Sequence, residues 1–188
     1  MKNDTTYIFQ LAEQLQQGKT ILYPTDTIYG IGCDATNEAA VDKIFAIKNR
    51  PKEKSLIVLV DSVAMLQKSV AVNDQIIELI NSFELPTTLI YQNPKGIAKN
   101  AINHDNTIAI RIVKHQFCQD VIQQLNKPII STSANISGEK NPVYFDEISL
   151  DIKNKIDVLV PAQYDTSVYK FPSKLIKIKT DNTIEYLR

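Results

Sequence analysis

Tyr23-Pro24-Thr25-Asp26-Thr27-Ile28-Tyr29-Gly30 follows the short apolar run Thr20-Ile21-Leu22. Two threonines, a carboxylate and a tyrosine crowd one turn, between a predicted strand over Thr20–Tyr23 and a Gly-rich exit at Gly30 and Gly32. That density of hydroxyls at a strand end suits the holding of a small polar ligand better than the filling of an interior. The same residues also read as a Pro-Thr-Asp turn that only connects two elements. On this stretch alone both readings stand.

Upstream, Ile8, Leu11, Ala12 and Leu15 fall at helical spacing, and Gly18 is placed to end that helix. Downstream, a helix is predicted from Thr36 or Asn37, either of which can cap it, with Val41, Ile44, Phe45 and Lys48 along one side and Pro51 as its stop. The buried-type strand Leu56–Val60 follows, then two short helices capped by Asp61 and Asn73, then a strand at Leu89–Tyr91. Thr107–Ile112 alternates. Period two puts Ile108, Ile110 and Ile112 on a core face, and Thr107, Ala109 and Arg111 on the other. That second face is either a ligand wall with a hydroxyl, a gap and a guanidinium, or a solvent face with an incidental arginine. Phe117, Val121, Ile122 and Leu125 make another amphipathic helix, and Pro128-Ile129-Ile130 a short strand. It leads into a second hydroxyl-dense loop, Ser131 to Gly138. Asp157–Val160 reads as a strand, and Lys174–Lys179 with Thr183–Leu187 as a hairpin around Asp181-Asn182. Strands alternating with helices give an α/β class. The terminal hairpin argues against a simple doubly wound parallel sheet.

The whole chain sets the bounds. Its 188 residues are expected to form one domain over 1–188, with enough chain for a substantial core. Lys+Arg equals Asp+Glu at 21 each, so any polyanion site must come from local clustering. Cys33 and Cys118 have no metal-type spacing and are expected as buried thiols in a reducing, cytoplasmic setting. No signal peptide and no membrane-spanning run are read from the sequence, and no membrane partner is expected. His104 and His115 sit in polar surroundings and are expected at the surface. There is no Walker loop, no GxGxxG and no zinc-ligand spacing, so covalent and hydride chemistry have no support.

What remains is a set of loops rich in hydroxyls, amides and cations: Lys48 and Arg50 at a helix end, Arg111 on a strand, and Ser131, Ser133 and Asn135 on a loop. Arginine offers a planar donor fork for carboxylate or phosphate, and lysine a movable point charge. Together they could neutralise a triphosphate and orient a second substrate, with catalysis by positioning and electrostatics. Alternatively the run Lys48 to Lys54 is a solvated basic turn.

Three blocks carry a resemblance: Pro24-Thr25-Asp26-Thr27-Ile28-Tyr29-Gly30-Ile31-Gly32, Ile44-Phe45-Ala46-Ile47-Lys48-Asn49-Arg50-Pro51, and Ser133-Ala134-Asn135-Ile136-Ser137-Gly138. In order and spacing they resemble the YrdC-like family, which contains the threonylcarbamoyl-AMP synthases. The resemblance runs from about Gly18 to Arg188 and fits the short type without an extra C-terminal domain. It implies a twisted mixed α/β sheet with flanking helices around a positively charged concave cavity. The implied reaction forms threonylcarbamoyl-adenylate and pyrophosphate from L-threonine, bicarbonate and ATP. A separate transferase would then modify tRNA. By position, the signature set is Lys48, Arg50, Ser133 and Asn135. The nucleotide side would use Arg50, Lys54, Thr107, Ser133, Asn141 and Arg188. The threonine side would use Thr27, Arg111, Ser131 and Ser173. Mg2+ bridging the phosphates is expected from the chemistry, with no protein ligand named for it.

The chain departs from the family pattern at Glu84-Leu85-Pro86-Thr87-Thr88, at Ile112-Val113, at Pro161 to Asp165, at Ser173-Lys174 and at Leu59, where some members carry a histidine. Two other readings remain open at this point: a double-stranded RNA-binding module using the Lys48 to Lys54 cluster, and a paralogue acting on another carbamate or adenylate. Lys48→Ala and Arg50→Ala are both expected to abolish adenylate formation while leaving the protein folded, as exposed loop cations should.

Overall fold

The computed structural model describes residues 4–51, 55–178 and 184–187. Helix α1, Thr5–Gln16, starts at Asp4, whose carboxylate accepts from the amides of Thr6 (2.9 Å) and Tyr7 (3.4 Å). Its apolar face is Ile8, Leu11, Ala12 and Leu15, as the spacing predicts, and Gly18 reverses the chain at φ +76°.

Strand β1, Ile21–Tyr23, pairs antiparallel with β2, Gly30–Gly32, in the register Ile21↔Gly32 and Tyr23↔Gly30. The turn Pro24 to Tyr29 is therefore the loop of a hairpin. Its second strand was legible in sequence only as a Gly-rich exit. Gly32 is required there by contact: a Cβ would lie 2.1 Å from the Ile130 carbonyl oxygen. Helix α2, Glu38–Ile47, is capped by Asn37 rather than Thr36, with its side chain accepting from Ala40 N at 3.1 Å. Then come β3, Ile57–Val60, and helices α3, Val63–Ser69, and α4, Asp74–Ser82. The cap of α3 is Ser62, one residue past the expected Asp61; the hydroxyl takes Met65 N (3.2 Å) and donates to Asp61 (2.7 Å). Asn73 caps α4 as expected.

Strands β4, Thr87–Gln92, and β5, Thr107–Ile112, precede α5, Gln116–Leu125, and β6, Ile129–Ser133. A short α6, Leu150–Lys155, is followed by β7, Val158–Leu159. The expected terminal hairpin is β8, Lys174–Ile178, against β9, Ile184–Tyr186, antiparallel; its turn at Asp181-Asn182 lies outside the described residues.

Among the described residues the nine strands form one sheet in the order β7-β1-β2-β6-β3-β5-β4-β8-β9. Pairs β1–β7, β3–β5 and β4–β8 are parallel, and the rest are antiparallel. This is a mixed α/β sheet with flanking helices. Helix α1 packs on α5, and their apolar residues join Val58, Val60, Ile108, Ile110 and Ile130 in one core. Thr107, Ala109 and Arg111 are buried too, so the solvent-face reading of β5 fails. Both cysteines are buried free thiols, and burial pushes both thiols up. His104 is exposed, but His115 is not: its ring lies between α5 and the segment after β7, 3 % exposed, against the surface position expected for it. The polar neighbours Lys114 and Gln116 hid that, because His115 is the residue that turns β5 into α5. No helix among the described residues is long and apolar enough to cross a membrane.

Candidate active site

The end of α2 decides where its cations point. Asn49 is left-handed at φ 46°. Its amide bonds Ala46 O (3.2 Å), and Arg50 N bonds Phe45 O (2.9 Å), the paired reversal that ends many helices. Asparagine tolerates this conformation better than most residues with a Cβ. The helix thus stops at Ile47, before Pro51 is reached, and Lys48 and Arg50 fall on the two sides of the reversal. Both line the same cavity, of about 530 Å³. That volume is within the ordinary range of small-molecule sites.

Lys48 is 1 % exposed, not an exposed loop cation. Its ammonium donates to the Ser133 carbonyl, to the Asn135 carbonyl (2.6 Å) and to Asn135 Oδ1 (3.1 Å). The loop answers in kind: Ser137 N donates to Lys48 O at 2.9 Å, and Ser133 Oγ to Asn135 Oδ1 at 2.6 Å. Asn135 Nδ2 closes the loop on Glu139 O (2.7 Å). The helix end and the loop after β6 are thereby one unit. Burial, and then the neighbouring Arg50, push the Lys48 amine down to about 7, with Glu139 pulling the other way. Arg50 is half-buried, donates to Ser55 O (2.6 Å) and is lowered by burial. The expectation that Lys48 is an exposed loop cation, whose removal costs little stability, is corrected in its premise: the side chain is buried.

A different arrangement holds Arg111. It is 4 % exposed and pairs with Asp26 of the β1–β2 turn, Nη1 to Oδ1 at 3.0 Å. Its Nη1 also reaches Thr27 Oγ1 at 3.5 Å. Asp26 takes a second donor, Lys114 N, at 3.1 Å. Thr25 ties the turn down: its hydroxyl donates to Ile28 O (2.8 Å), accepts from Thr27 N (3.1 Å) and meets Thr27 Oγ1 (2.9 Å). Arg111 Nε has no hydrogen-bond partner among the described residues.

The cavity gathers Thr27, Lys48, Arg50, Arg111, Ser131, Ser133, Asn135, Asn141 and Ser173, nine of the residues expected in a site. Thr107 does not line it. Its hydroxyl donates to Asp105 (2.6 Å) and accepts from Asn103 (2.9 Å), a local loop closure at the far end of β5, and only the Ala109–Arg111 end of that face borders the cavity. Lys54 and Arg188 lie outside the described residues. Ile57, Ile90 and Ala109 form an apolar floor, brought side by side by the registers Ile57↔Ala109 and Ile90↔Ala109. Reading the sequence alone missed Asp26 as the partner of Arg111. The available signal was a carboxylate inside a turn too apolar at its flanks to be solvated. It also missed Glu139, the cavity's acidic lining. Among the described residues no group of three His, Cys, Asp or Glu could hold a metal ion.

A mixed sheet of this order carries a cavity in which a Lys-x-Arg reversal is locked onto a Ser-x-Asn loop. The chain belongs to the Sua5/YciO/YrdC family, whose sequence model, described as telomere recombination, matches residues 13–188. It is 35 % identical over 150 residues to a threonylcarbamoyl-AMP synthase of Pseudoalteromonas translucida, covering 78 % of this chain and 80 % of the relative. Among solved structures it superposes on Sua5 of P. abyssi complexed with L-threonine, at TM-score 0.88 and 27 % identity, over 100 % of this chain and 55 % of that one. The present chain thus spans a little over half the length of that Sua5. YciO of E. coli shares the fold at TM-score 0.85 and 22 % identity, over 98 % of this chain and 89 % of that one.

Proposed function

We propose that the chain is an L-threonylcarbamoyladenylate synthase. The observation that carries the reading is the joining of two unlike cation sites in one cavity: Lys48 and Arg50 braced by the Ser133–Asn135 loop, and Arg111, held by Asp26, beside Thr27. The first suits the phosphates of ATP and the second the carboxylate of an amino acid. The relative of 35 % identity carries the name of this activity.

In this reading the threonine amine and bicarbonate condense to a carbamate with loss of water. A carbamate oxygen then attacks the α-phosphorus of ATP, and the bond to pyrophosphate breaks. Arg111 and Thr27 orient the amino acid. Lys48 and Arg50 neutralise the phosphate charge that must be brought next to a second anion, and Ser133 and Asn141 supply short donors along the nucleotide. Lys54 and Arg188 would contact the nucleotide, and Ser131 and Ser173 the threonine. Mg2+ would arrive with the nucleotide and take its oxygens from phosphate and water. The labile product would pass to a transferase acting on tRNA in the cytoplasm, with any RNA contact made at that stage.

Incubation with ATP, threonine and bicarbonate is expected to yield a labile adenylate and pyrophosphate. Pyrophosphate release that ignores threonine overturns the assignment. Double-stranded RNA binding with a steep salt slope and no ATP turnover would favour the binding-module reading instead.

A further inference from the structure

The segment Asp165 to Ser173 has no helix or strand, yet its last two residues, Pro172 and Ser173, line the cavity. It crosses from the side of α5 and the β1–β2 turn to β4 and holds its course through side chains. At its start Asp165 accepts from Ser167 N (3.1 Å) and Ser167 Oγ (2.5 Å). Thr166 Oγ1 meets His115 Nε2 at 3.0 Å. Further on, Tyr169 donates to Glu84 O (3.2 Å), and Ser173 Oγ meets Thr88 Oγ1 at 2.8 Å. Thr88 follows from the Leu89↔Ile110 pair onto the β4 position beside Arg111.

His115 is the member of this set with contacts in both directions. Its Nδ1 lies 3.5 Å from Cys118 Sγ, and Cys118 donates to Pro24 O (3.3 Å), the first residue of the turn that carries Asp26 and Thr27. The hydrogens can be placed consistently. With the thiol hydrogen spent on Pro24, the sulfur accepts from Nδ1–H, and Nε2 is left to accept from the Thr166 hydroxyl. One buried imidazole therefore connects the β1–β2 turn to the crossing segment.

We propose that His115 is a positioning residue for amino-acid binding: through Thr166 it latches the segment Asp165–Ser173 over the Arg111 end of the cavity and presents Ser173 to the bound amino acid. The latch itself rests on geometry, and only its substrate assignment rests on the synthase reading. It separates the two substrates, because the Lys48–Arg50 wall makes none of these contacts.

Two variants and two measurements test it. Thr166→Val removes the hydroxyl at an exposed position and leaves the core intact; His115→Ala removes the hub. Tryptic cleavage after Lys170, in the middle of the segment, reads the latch without reference to activity. Each variant is expected to speed that cut about fivefold and to raise the threonine KM about five- to tenfold, the scale of one hydrogen bond, with the ATP KM within twofold. The double variant is expected to be no worse than His115→Ala. An unchanged cut in Thr166→Val overturns the latch. Equal rises in both KM values overturn its assignment to the amino acid. If the wild-type protein shows no threonine-dependent turnover, the synthase reading falls, and the cleavage result still decides the latch.

Discussion

The two cations that anchor the cavity, Lys48 and Arg111, are both buried, and the protein has treated them in opposite ways. Arg111 is given a carboxylate, Asp26, in direct contact. Lys48 is given only neutral oxygens, two carbonyls and an amide. The first arrangement neutralises a charge and fixes its direction. The second leaves the amine, when protonated, without a counter-ion in contact; its charge is stabilised by dipoles and its pKa is lowered by burial. A pre-neutralised guanidinium is suited to aligning a ligand more than to drawing one in. An uncompensated ammonium is suited to drawing in a polyanion. The two walls differ in chemistry because they differ in how their charge is balanced, and sequence spacing alone did not show that difference.

Removing the balance should have the larger effect. Asp26→Ala leaves Arg111 buried without its counter-charge and is expected to cost about 3–5 kcal/mol, seen as a large fall in the urea midpoint. A loss below about 1 kcal/mol would mean that the pair is solvated and that the contrast with Lys48 is false. Lys48→Ala is expected to cost less, about 1–3 kcal/mol, because it strands the Ser133 and Asn135 carbonyls without leaving a charge behind.

The same lysine gives the contrast a pH signature. Its amine is pushed down to about 7 in the folded protein and has an ordinary value of 10.5. Between those values the unfolded chain holds the proton and the folded protein does not. Stability contributed at this site therefore rises with pH from about 7 to about 10, by at most about 1.4 kcal/mol per unit. Thermal or urea unfolding of wild type against Lys48→Ala, at pH 7 and pH 9, checks it; a parallel pair of curves would show that the amine keeps its proton. Arg50→Ala is the smallest structural change. It is expected to stay folded, with a stability loss within about 1 kcal/mol, and to lose ATP-dependent turnover. A variant that still turns over normally would move the phosphate site away from this wall.

Local elements were legible where one periodicity governed them. α1, α2, α5, β5 and the final hairpin follow directly from spacing 3.6 or 2, and β3 from an unbroken apolar run. The cation turn was legible as a set of residues but not as a shape, since Asn49 adopts a left-handed conformation that Pro51 alone does not predict. His115 was misplaced because the partners of its ring include Thr166, a residue 51 positions later in the chain. Thr107 shares a strand face with Arg111, yet its hydroxyl is claimed by Asn103 and Asp105, a competition invisible to period two. The sheet order was not legible at all, because it depends on pairings such as Gly30↔Ser133 between strands a hundred residues apart. The resemblance of three separated blocks succeeded because it encodes those long-range pairings indirectly.

The contact between Lys48 and the loop after β6 also fixes when the site can come into being. The lysine and its acceptor at Ser133 are separated by 85 positions. During synthesis the helix end is made long before the strand that receives it. Until β6 enters between β2 and β3, the ammonium lacks the oxygens that hold it out of water, and this wall of the cavity does not exist. Closing so long a loop is slow compared with forming the helix. Assembly of this wall of the cavity thus requires that the centre of the sheet has closed.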